Sequence, residues 1–409
     1  MKHRSPSHET STRPPVLVRT TTAAVSLRYL LAGQIKFMSE YGLEVHTASA
    51  DGPHRPPYLL EEHSTHHTLP LRRTIAPLVD LGCLARMIRL LLRLRPDIVH
   101  AQTPKAGLLS MLAARLVGVP LRIYTIGGLP LESLTGFRRL LVRFTERLAC
   151  RCATHVWPNS EGIKRLLEVE NICSPKKMEI IGRGSSNGID LEEFDPKQFD
   201  PAVREEIRSQ IGYRPELRYL LFVGRMVSQK GIPELIRVFE RLHSDHPELR
   251  LLLVGPFDRE WDLLPPATLR TIDTHPSILA TGFSKRVAYF MELADLFVFP
   301  SHREGLPNVI LQAGAVGCPV VAAAATGTTD LIAHEQTGLL HEVRNEEALQ
   351  RALEYALRHP DRMRTFAENL RRRVVRDYRR EDVHRAILDR YRQLLGFRGD
   401  IHNSSSGNT

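Results

Sequence analysis

Short apolar, β-branched runs alternate with longer stretches of helical periodicity from one end of the chain to the other. In the first half the runs are PVLVRTT (15–21), LEVHTAS (43–49), DIVHAQ (97–102), LRIYTI (121–126), THVWPN (154–159) and KMEIIG (177–182). These predict strands, and the stretches 27–41, 80–95, 105–118 and 134–152 between them predict helices. Strand–helix alternation at this spacing needs crossover connections, so the sheet is parallel and covered on both faces.

Residues 183–216 break the rhythm with RGSSNGIDLEEFDPKQFDP, a Gly-, Ser-, Asp- and Pro-rich linker composition. The alternation resumes with YLLFVG (219–224), LRLLLVG (249–255), SILATG (277–282), DLFVFP (295–300), PVVAAA (319–324) and TGLLHEV (337–343). The predicted fold class is α/β, with two doubly wound parallel-sheet domains: one over 1–200, the other over 201–379. The tail, 397–409, has the composition of a disordered segment. In doubly wound sheets ligands bind beyond the carboxyl ends of the strands, which directs attention to the loops that follow these runs.

Two such loops carry chemistry. After DLFVFP comes SHREGLPNVILQAG (301–314), in which Glu304 precedes a helix start at Asn308. Free amides around Gly305 and the positive end of a helix dipole form an anion site. A carboxylate beside an anion site suits a ligand with hydroxyls next to phosphates, as in a sugar nucleotide. By itself Glu304 reads equally as a helix-capping acid. The second loop lies in FVGRMVSQKGIPELI (222–236), where Gly224 ends a strand and Arg225 and Lys230 follow. An arginine fork and a lysine point charge suit a diphosphate.

Bulk properties agree. The 409 residues are 42% apolar, and 56 Lys and Arg against 46 Asp and Glu give a net charge of +10, which favours an anionic partner. Five cysteines, an odd number without metal-site spacing, point to a reduced, cytosolic setting. Cys150-Arg-Cys152 reads as incidental on a helix. The first fourteen residues are polar and proline-broken, and no uninterrupted apolar run reaches a membrane span, so a soluble or surface-lying protein is expected. No helix-turn-helix, zinc-finger or aromatic-basic motif supports nucleic-acid binding.

VGRMVSQKG, ADLFVFPSHREGLPNVILQAGAVGCPVVA and TGTTDLI resemble the nucleotide-sugar half of the retaining family-4 glycosyltransferases of the GT-B fold. The first half, including PDIVHAQTPKAGLLSMLAARLVGVPLRIYT, is similar to a bacterial subgroup that builds capsular polysaccharide, exopolysaccharide or lipid-linked oligosaccharide. The resemblance implies two Rossmann-like domains around a cleft, with a helix over 380–396 crossing back to the first domain. It implies that Arg225 and Lys230 hold the donor diphosphate, and that Glu304, with the amides of Gly305 and Leu306, contacts the transferred sugar and phosphate. Gln312 stands where the family has a second glutamate on the ribose. Loss of that charge is expected to weaken donor binding by about 1–2 kcal/mol. Gly127 and Gln102 occupy places where relatives carry a histidine, or at 127 also an arginine. No Asp-x-Asp occurs, so a metal-independent enzyme without a cofactor is expected, with a UDP-sugar as donor substrate.

The first domain is expected to bind the acceptor, a polyprenyl-diphosphate-linked or oligosaccharide glycan. Arg139, Arg143, Arg147 and Arg151 repeat every four residues beside Leu140, Phe144 and Leu148, and Arg86, Arg89 and Arg93 repeat the idea. Such helices suit the anionic inner face of a cell membrane, or are simply solvated. Lys105, at a helix start, reads as an acceptor contact or an ordinary first-turn lysine. Asn187-Gly188 reads as a cleft contact or a turn. The competing functions are a nucleotide-sugar epimerase and a non-catalytic sugar-nucleotide-binding protein.

Overall fold

The strand β1 (Val16–Ala23) is buried along nearly its whole length although it carries Arg19 and three threonines. Strands on both edges and helices on both faces surround it, so each polar group needs an internal partner; Thr20 Oγ1, for example, lies 2.8 Å from Ser110 Oγ. The computed structural model describes residues 13–50, 63–72, 74, 76–129, 131, 134–258 and 262–396. Around β1 stand β2 (Glu44–Ala50), β3 (Thr65–Thr68), β4 (Ile98–Gln102), β5 (Leu121–Ile126) and β6 (His155–Pro158). They form one parallel sheet in the order β3-β2-β1-β4-β5-β6.

The second sheet repeats the plan. Strands β7 (Arg218–Val223), β8 (Leu249–Val254), β9 (Ile278–Gly282), β10 (Leu296–Phe299), β11 (Val320–Ala323) and β12 (Leu339–His341) are ordered β12-β11-β10-β7-β8-β9. In both sheets the strand order reverses beside the first strand, between β1 and β4 and between β7 and β10. Neighbouring loops diverge there, which opens a crevice at the carboxyl ends.

Helices α1 (Ala24–Leu30), α2 (Gln34–Glu40), α3 (Pro77–Leu94), α4 (Pro104–Val117), α5 (Gly136–Cys152) and α6 (Glu161–Val169) belong to the first sheet. Those of the second are α7 (Pro201–Ile211), α8 (Ile232–Asp245), α9 (Pro266–Thr274), α10 (Val287–Leu293), α11 (Asn308–Val316), α12 (Glu346–Arg358) and α13 (Pro360–Asp377). Helix α14 (Arg380–Leu394) returns to the first domain. No helix among the described residues is long and apolar enough to cross a membrane.

The expected pattern needs three corrections. The helix expected over 27–41 is two helices, broken at Leu31–Gly33. KMEIIG (177–182) is not a strand: only Met178 bridges to Val156, as the chain leaves the sheet for the domain crossing. The edge strand β3, THHT, has no apolar run to announce it. Ile189, Phe194 and Phe199, within the span expected for the first domain, pack in the second domain's core. The tail 397–409 lies outside the described residues.

The chain passes between the domains twice, and the two passages hold each other. Ile189 N donates to the Tyr378 carbonyl at 2.8 Å and Arg380 N to the Ile189 carbonyl at 3.0 Å. Beyond this crossing Val383, Ile387, Leu388 and Tyr391 of α14 pack against Leu17, Leu27, Ile35, Ile98 and Trp157. Asn187 belongs to this junction and not to the cleft. Its amide donates to the Ala32 carbonyl at 3.0 Å, and its Oδ1 accepts from His384 Nε2 at 2.7 Å. Burial pushes the His384 imidazole down to about 3, so it is a neutral Nε2–H donor at physiological pH. Ile387 is 4% exposed, and Ile387→Ala is expected to destabilise the first domain by roughly 2–4 kcal/mol in urea unfolding. A change below about 1 kcal/mol would show that α14 merely rests on the domain.

Candidate active site

Glycine lets the two functional loops of the second domain touch. Gly231, in the left-handed region at φ 74°, starts α8, and a Cβ there would stand 2.2 Å from the Pro300 carbonyl oxygen. That approach presses the loop after β7 against the loop after β10. His302 N donates to the Gln229 carbonyl at 2.9 Å, and Arg303 Nη2 donates to Gln229 Oε1 at 3.2 Å. Lys230 Nζ consequently forms an ion pair with Glu304 Oε1, which also accepts from Ser301 Oγ at 2.5 Å. Both partners are largely buried, at 21% and 13% exposure. Removing either charge would leave the other without its partner in a poorly solvated place. Arg225 is half exposed and pairs with Asp258 at 3.1 Å.

These residues face a cleft of about 490 Å³ between the domains. Arg225, Lys230, Glu304, Gly305, Leu306 and Asn308 line its second-domain side, and Gln102, Thr103, Gly127 and Asn159 the first-domain side. At its narrowest point the two backbones meet: a Cβ on Gly305 would stand 1.6 Å from the Gly127 carbonyl oxygen. Helix α11 starts just beyond, so its amide end points into the same space as the cations. Gly224 ends β7 behind Arg225, where its N–H donates to Val254. Gln312 is half-buried one turn further along α11 and lies outside the cleft lining.

The first-domain side is arranged around a buried cation. Arg19 bonds His100 Nδ1, donates to Tyr391 Oη at 2.9 Å, and donates from Nη2 to Gln102 Oε1 at 3.3 Å. Burial first and Arg19 second push His100 well below its ordinary pKa. The neutral ring accepts at Nδ1 and donates from Nε2 to Thr125 Oγ1 at 2.6 Å, which is a structural task. Gln102, whose oxygen accepts from Arg19, lines the cleft. Thr103 holds a positive φ of 78°, rare for a β-branched residue, and its hydroxyl lies 2.8 Å from Thr22 Oγ1.

Asn159, Gln229, Arg303 and Thr103 were not singled out from the sequence. Each directly follows a strand or stands in the loop after one, so strand-end position was the signal that could have found them. Asn159 is 9% exposed and stands beside Gly127, where a Cβ would come within 3.4 Å of its side-chain nitrogen.

Lys105 does not line this cleft. Both Asp80 carboxylate oxygens take its ammonium at 2.8 Å, and the Thr74 carbonyl takes a third bond. It borders instead a side pocket of about 820 Å³, whose lining shares Leu30, Thr103, Pro104 and Arg225 with the cleft. Glu146 of α5 lies in that pocket's wall, and the Tyr124 hydroxyl donates to its Oε2 at 3.0 Å. The arginine stripe of α5 is tied down as well: Arg139 pairs with Glu170 at 2.5 Å, and Arg147 donates to the Asn171 carbonyl at 2.9 Å.

Residues 26–184 match the family described as Glycosyl transferase 4-like domain, and residues 203–373 match Glycosyl transferases group 1. The chain is 31% identical to the capsular polysaccharide biosynthesis glycosyltransferase CapM of Staphylococcus aureus, over 90% of this chain and 94% of that one. The protein belongs to the group 1 glycosyltransferases. This glycosyltransferase is also 28% identical to the Escherichia coli UDP-Gal:alpha-D-GlcNAc-diphosphoundecaprenol alpha-1,3-galactosyltransferase, over 69% of this chain and 72% of that one. Its two-domain GT-B fold is that of Anabaena HepE in complex with UDP and glucose, with a TM-score of 0.76 at 18% identity, over 93% and 100% of the two chains.

Two outcomes follow for the glycosyltransferase. Gly305→Ala forces Gly305 off the Gly127 carbonyl, and a displacement of that order at a reacting centre is expected to lower kcat about 100-fold; the cooperative melt should persist, and unchanged turnover would contradict the contact. Burial pushes the Glu146 carboxyl up to about 7 from an ordinary 4.5, partly offset by the Tyr124 bond. Across that window the folded chain holds a proton that the unfolded chain has lost, so stability falls as pH rises from 4.5 to 7. Glu146→Gln removes this term, and its stability relative to the parent is expected to rise by about 3 kcal/mol across the window. A constant difference in denaturant titrations at several pH values would refute it.

Proposed function

We propose that this glycosyltransferase moves a sugar, with retention of configuration, from a nucleotide-sugar donor to a lipid-diphosphate-linked glycan in cell-surface polysaccharide synthesis. The observation that carries this reading is the Lys230–Glu304 pair, set beside Arg225 and the amide end of α11 at the second sheet's switch point. A diphosphate laid there meets two cations and free amides, and the sugar beyond it meets Glu304. The donor is a UDP-sugar, a choice supported by the UDP complex of the Anabaena structure and the UDP-Gal of the E. coli relative.

In the reaction the bond from the anomeric carbon to the phosphate oxygen breaks and the bond to the acceptor oxygen forms on the same face. The acceptor's proton passes to the departing phosphate oxygen. Negative charge grows on the diphosphate as that bond breaks, so fixed cations and amides bind the transition state better than the donor. Arg225 and Lys230 thereby stabilise the leaving group, the task for which no metal is invoked here. Glu304 beside the anomeric centre steadies developing positive charge.

The acceptor side borders the first domain. Phe137, Leu140 and Phe144 on α5 are 78%, 61% and 63% exposed, and Leu78 and Leu81 on α3 are 87% and 65% exposed. Exposed Arg86, Arg89 and Arg93 share α3. Apolar side chains next to cations suit the headgroup region of an anionic bilayer, so the enzyme sits peripherally at the cytoplasmic face, where a polyprenyl-linked acceptor is within reach.

The test combines binding with turnover. A panel of UDP-, GDP-, dTDP- and ADP-sugars is expected to give a thermal shift with one UDP-sugar, lost in Arg225→Ala, and diphosphonucleoside release only with a lipid-linked acceptor. No shift with any donor overturns the reading, and a shift without release across a broad acceptor panel favours a binding protein. Phe137→Asp with Phe144→Asp should weaken sedimentation with vesicles containing anionic lipid by roughly 10-fold; unchanged binding removes the membrane face from the proposal.

A further inference from the structure

Arg19 carries a charge into the first domain, and no carboxylate among the described residues pairs with it. Its partners are the neutral His100 ring, the Tyr391 hydroxyl and the Gln102 oxygen, all reached through Nη1 and Nη2. Arg19 Nε has no hydrogen-bond partner among the described residues, and neither has Trp157 Nε1 or Asn159 Oδ1. These three residues are 3%, 3% and 9% exposed, so bulk water does not replace the missing bonds. All three line one cavity of about 20 Å³ behind the first-domain wall of the cleft.

The rest of the lining adds donors. Because the His100 ring accepts from Arg19 at Nδ1, its Nε2–H goes to Thr125 Oγ1 at 2.6 Å, and no described residue takes the Thr125 hydroxyl proton. Ser185 Oγ accepts from Gly188 N at 2.9 Å and Asn187 N at 3.4 Å, which leaves its own proton unused as well. Ser185 is held there against its preference, at a φ of 73°. Gly184 before it lies so near Asn159 that a Cβ would stand 2.3 Å from the Asn159 carbonyl oxygen. The wall contains no carboxylate. Against a guanidinium and three further donors stands one unpartnered acceptor, the Asn159 amide oxygen. A half-turn of that amide offers NH₂ instead and moves Oδ1 to the Gly127 side, beside which Nδ2 now lies.

We propose that this cavity is an anion site holding one chloride ion on Arg19 Nε, Trp157 Nε1 and the hydroxyls of Thr125 and Ser185. About 20 Å³ admits a single atom-sized guest, which excludes phosphate and carboxylate groups. A water molecule fits by size, but it has two protons to place where the side chains offer one free acceptor, and it leaves the guanidinium charge uncompensated. A chloride needs donors only and supplies the missing charge. The wall draws on β1, β5 and β6, on the Gly184–Ser185 turn that leads into the domain crossing, and on Ile387 of α14. Occupancy therefore ties the first sheet to that crossing. Asn159 and Ser186 line the cleft as well, so the ion also steadies one edge of it.

The experiment uses the full chain at constant ionic strength, with sodium gluconate, whose anion is too large for the cavity, replaced stepwise by sodium chloride. The melting temperature is expected to rise along a saturating curve, by roughly 2–4 °C in all. Trp157→Phe keeps a ring to stack on Tyr391 but loses the N–H, and it should need about 10-fold more chloride for half the rise. Crystals of the parent grown with bromide in place of chloride are expected to show an anomalous-scattering peak between Arg19 and Trp157. That measurement decides the matter if the phenylalanine variant does not fold. A melting temperature that stays constant as chloride replaces gluconate overturns the proposal. So does a Trp157→Phe variant with the parent's chloride response, and so does a cavity that holds water in the bromide crystals while bromide occupies the surface only.

Discussion

A guanidinium group buried beneath the cleft sets the terms for the rest of this molecule. Arg19 is 3% exposed, and its described partners are a neutral imidazole, a phenol and an amide oxygen. A cation in such a place needs its hydrogen bonds met from within, because water cannot meet them. The partners come from two distant parts of the chain. His100 and Gln102 come from the strand across the switch point and Tyr391 from the last helix, so one charge joins the first sheet, the cleft wall and the returning C-terminus. Losing Tyr391 would therefore affect more than α14 packing; it would loosen the group that orients Gln102.

The second domain resolves a similar problem differently. Lys230 and Glu304 are brought together by backbone closeness at Gly231 and Pro300, and the pair neutralises itself in a place with little water. On the proposed reading, a donor diphosphate would compete with Glu304 for the lysine, and the sugar hydroxyls would offer the carboxylate new partners. The ion pair itself already ties the two loops together. Interactions already in place need little rearrangement when charge develops.

The first-domain surfaces divide by the same rule. Arg139, Arg143 and Arg147, three of the four arginines in the α5 stripe, are held by Glu170 and by carbonyls at the end of α6. α5 leaves Phe137, Leu140 and Phe144 exposed beside Arg138, Arg139 and Arg151. Periodicity identifies which residues share a helix face, but it does not say whether that face meets solvent or the end of another helix.

Eleven of the twelve strands were legible as apolar runs, because strands buried on both faces must be apolar almost throughout. β3 was not, since a short edge strand of Thr and His is held by its backbone ladder alone. The loops carrying Arg225, Lys230 and Glu304 were legible from their place after strands. Chain direction in a parallel sheet brings every such loop to one edge. Where Asn187, Lys105 and Gln312 lie was not legible, for their local sequence is equally compatible with a cleft, a hinge or a helix flank. The sequence by itself determined the two sheets, the edge at which chemistry occurs and the residue types gathered there. Only the tertiary structure decided which side chains face the cleft, that Lys230 reaches Glu304, that Asn187 joins the hinge and that Glu146 faces a pocket. Those outcomes depend on contacts between residues far apart in the chain, which local propensity does not encode.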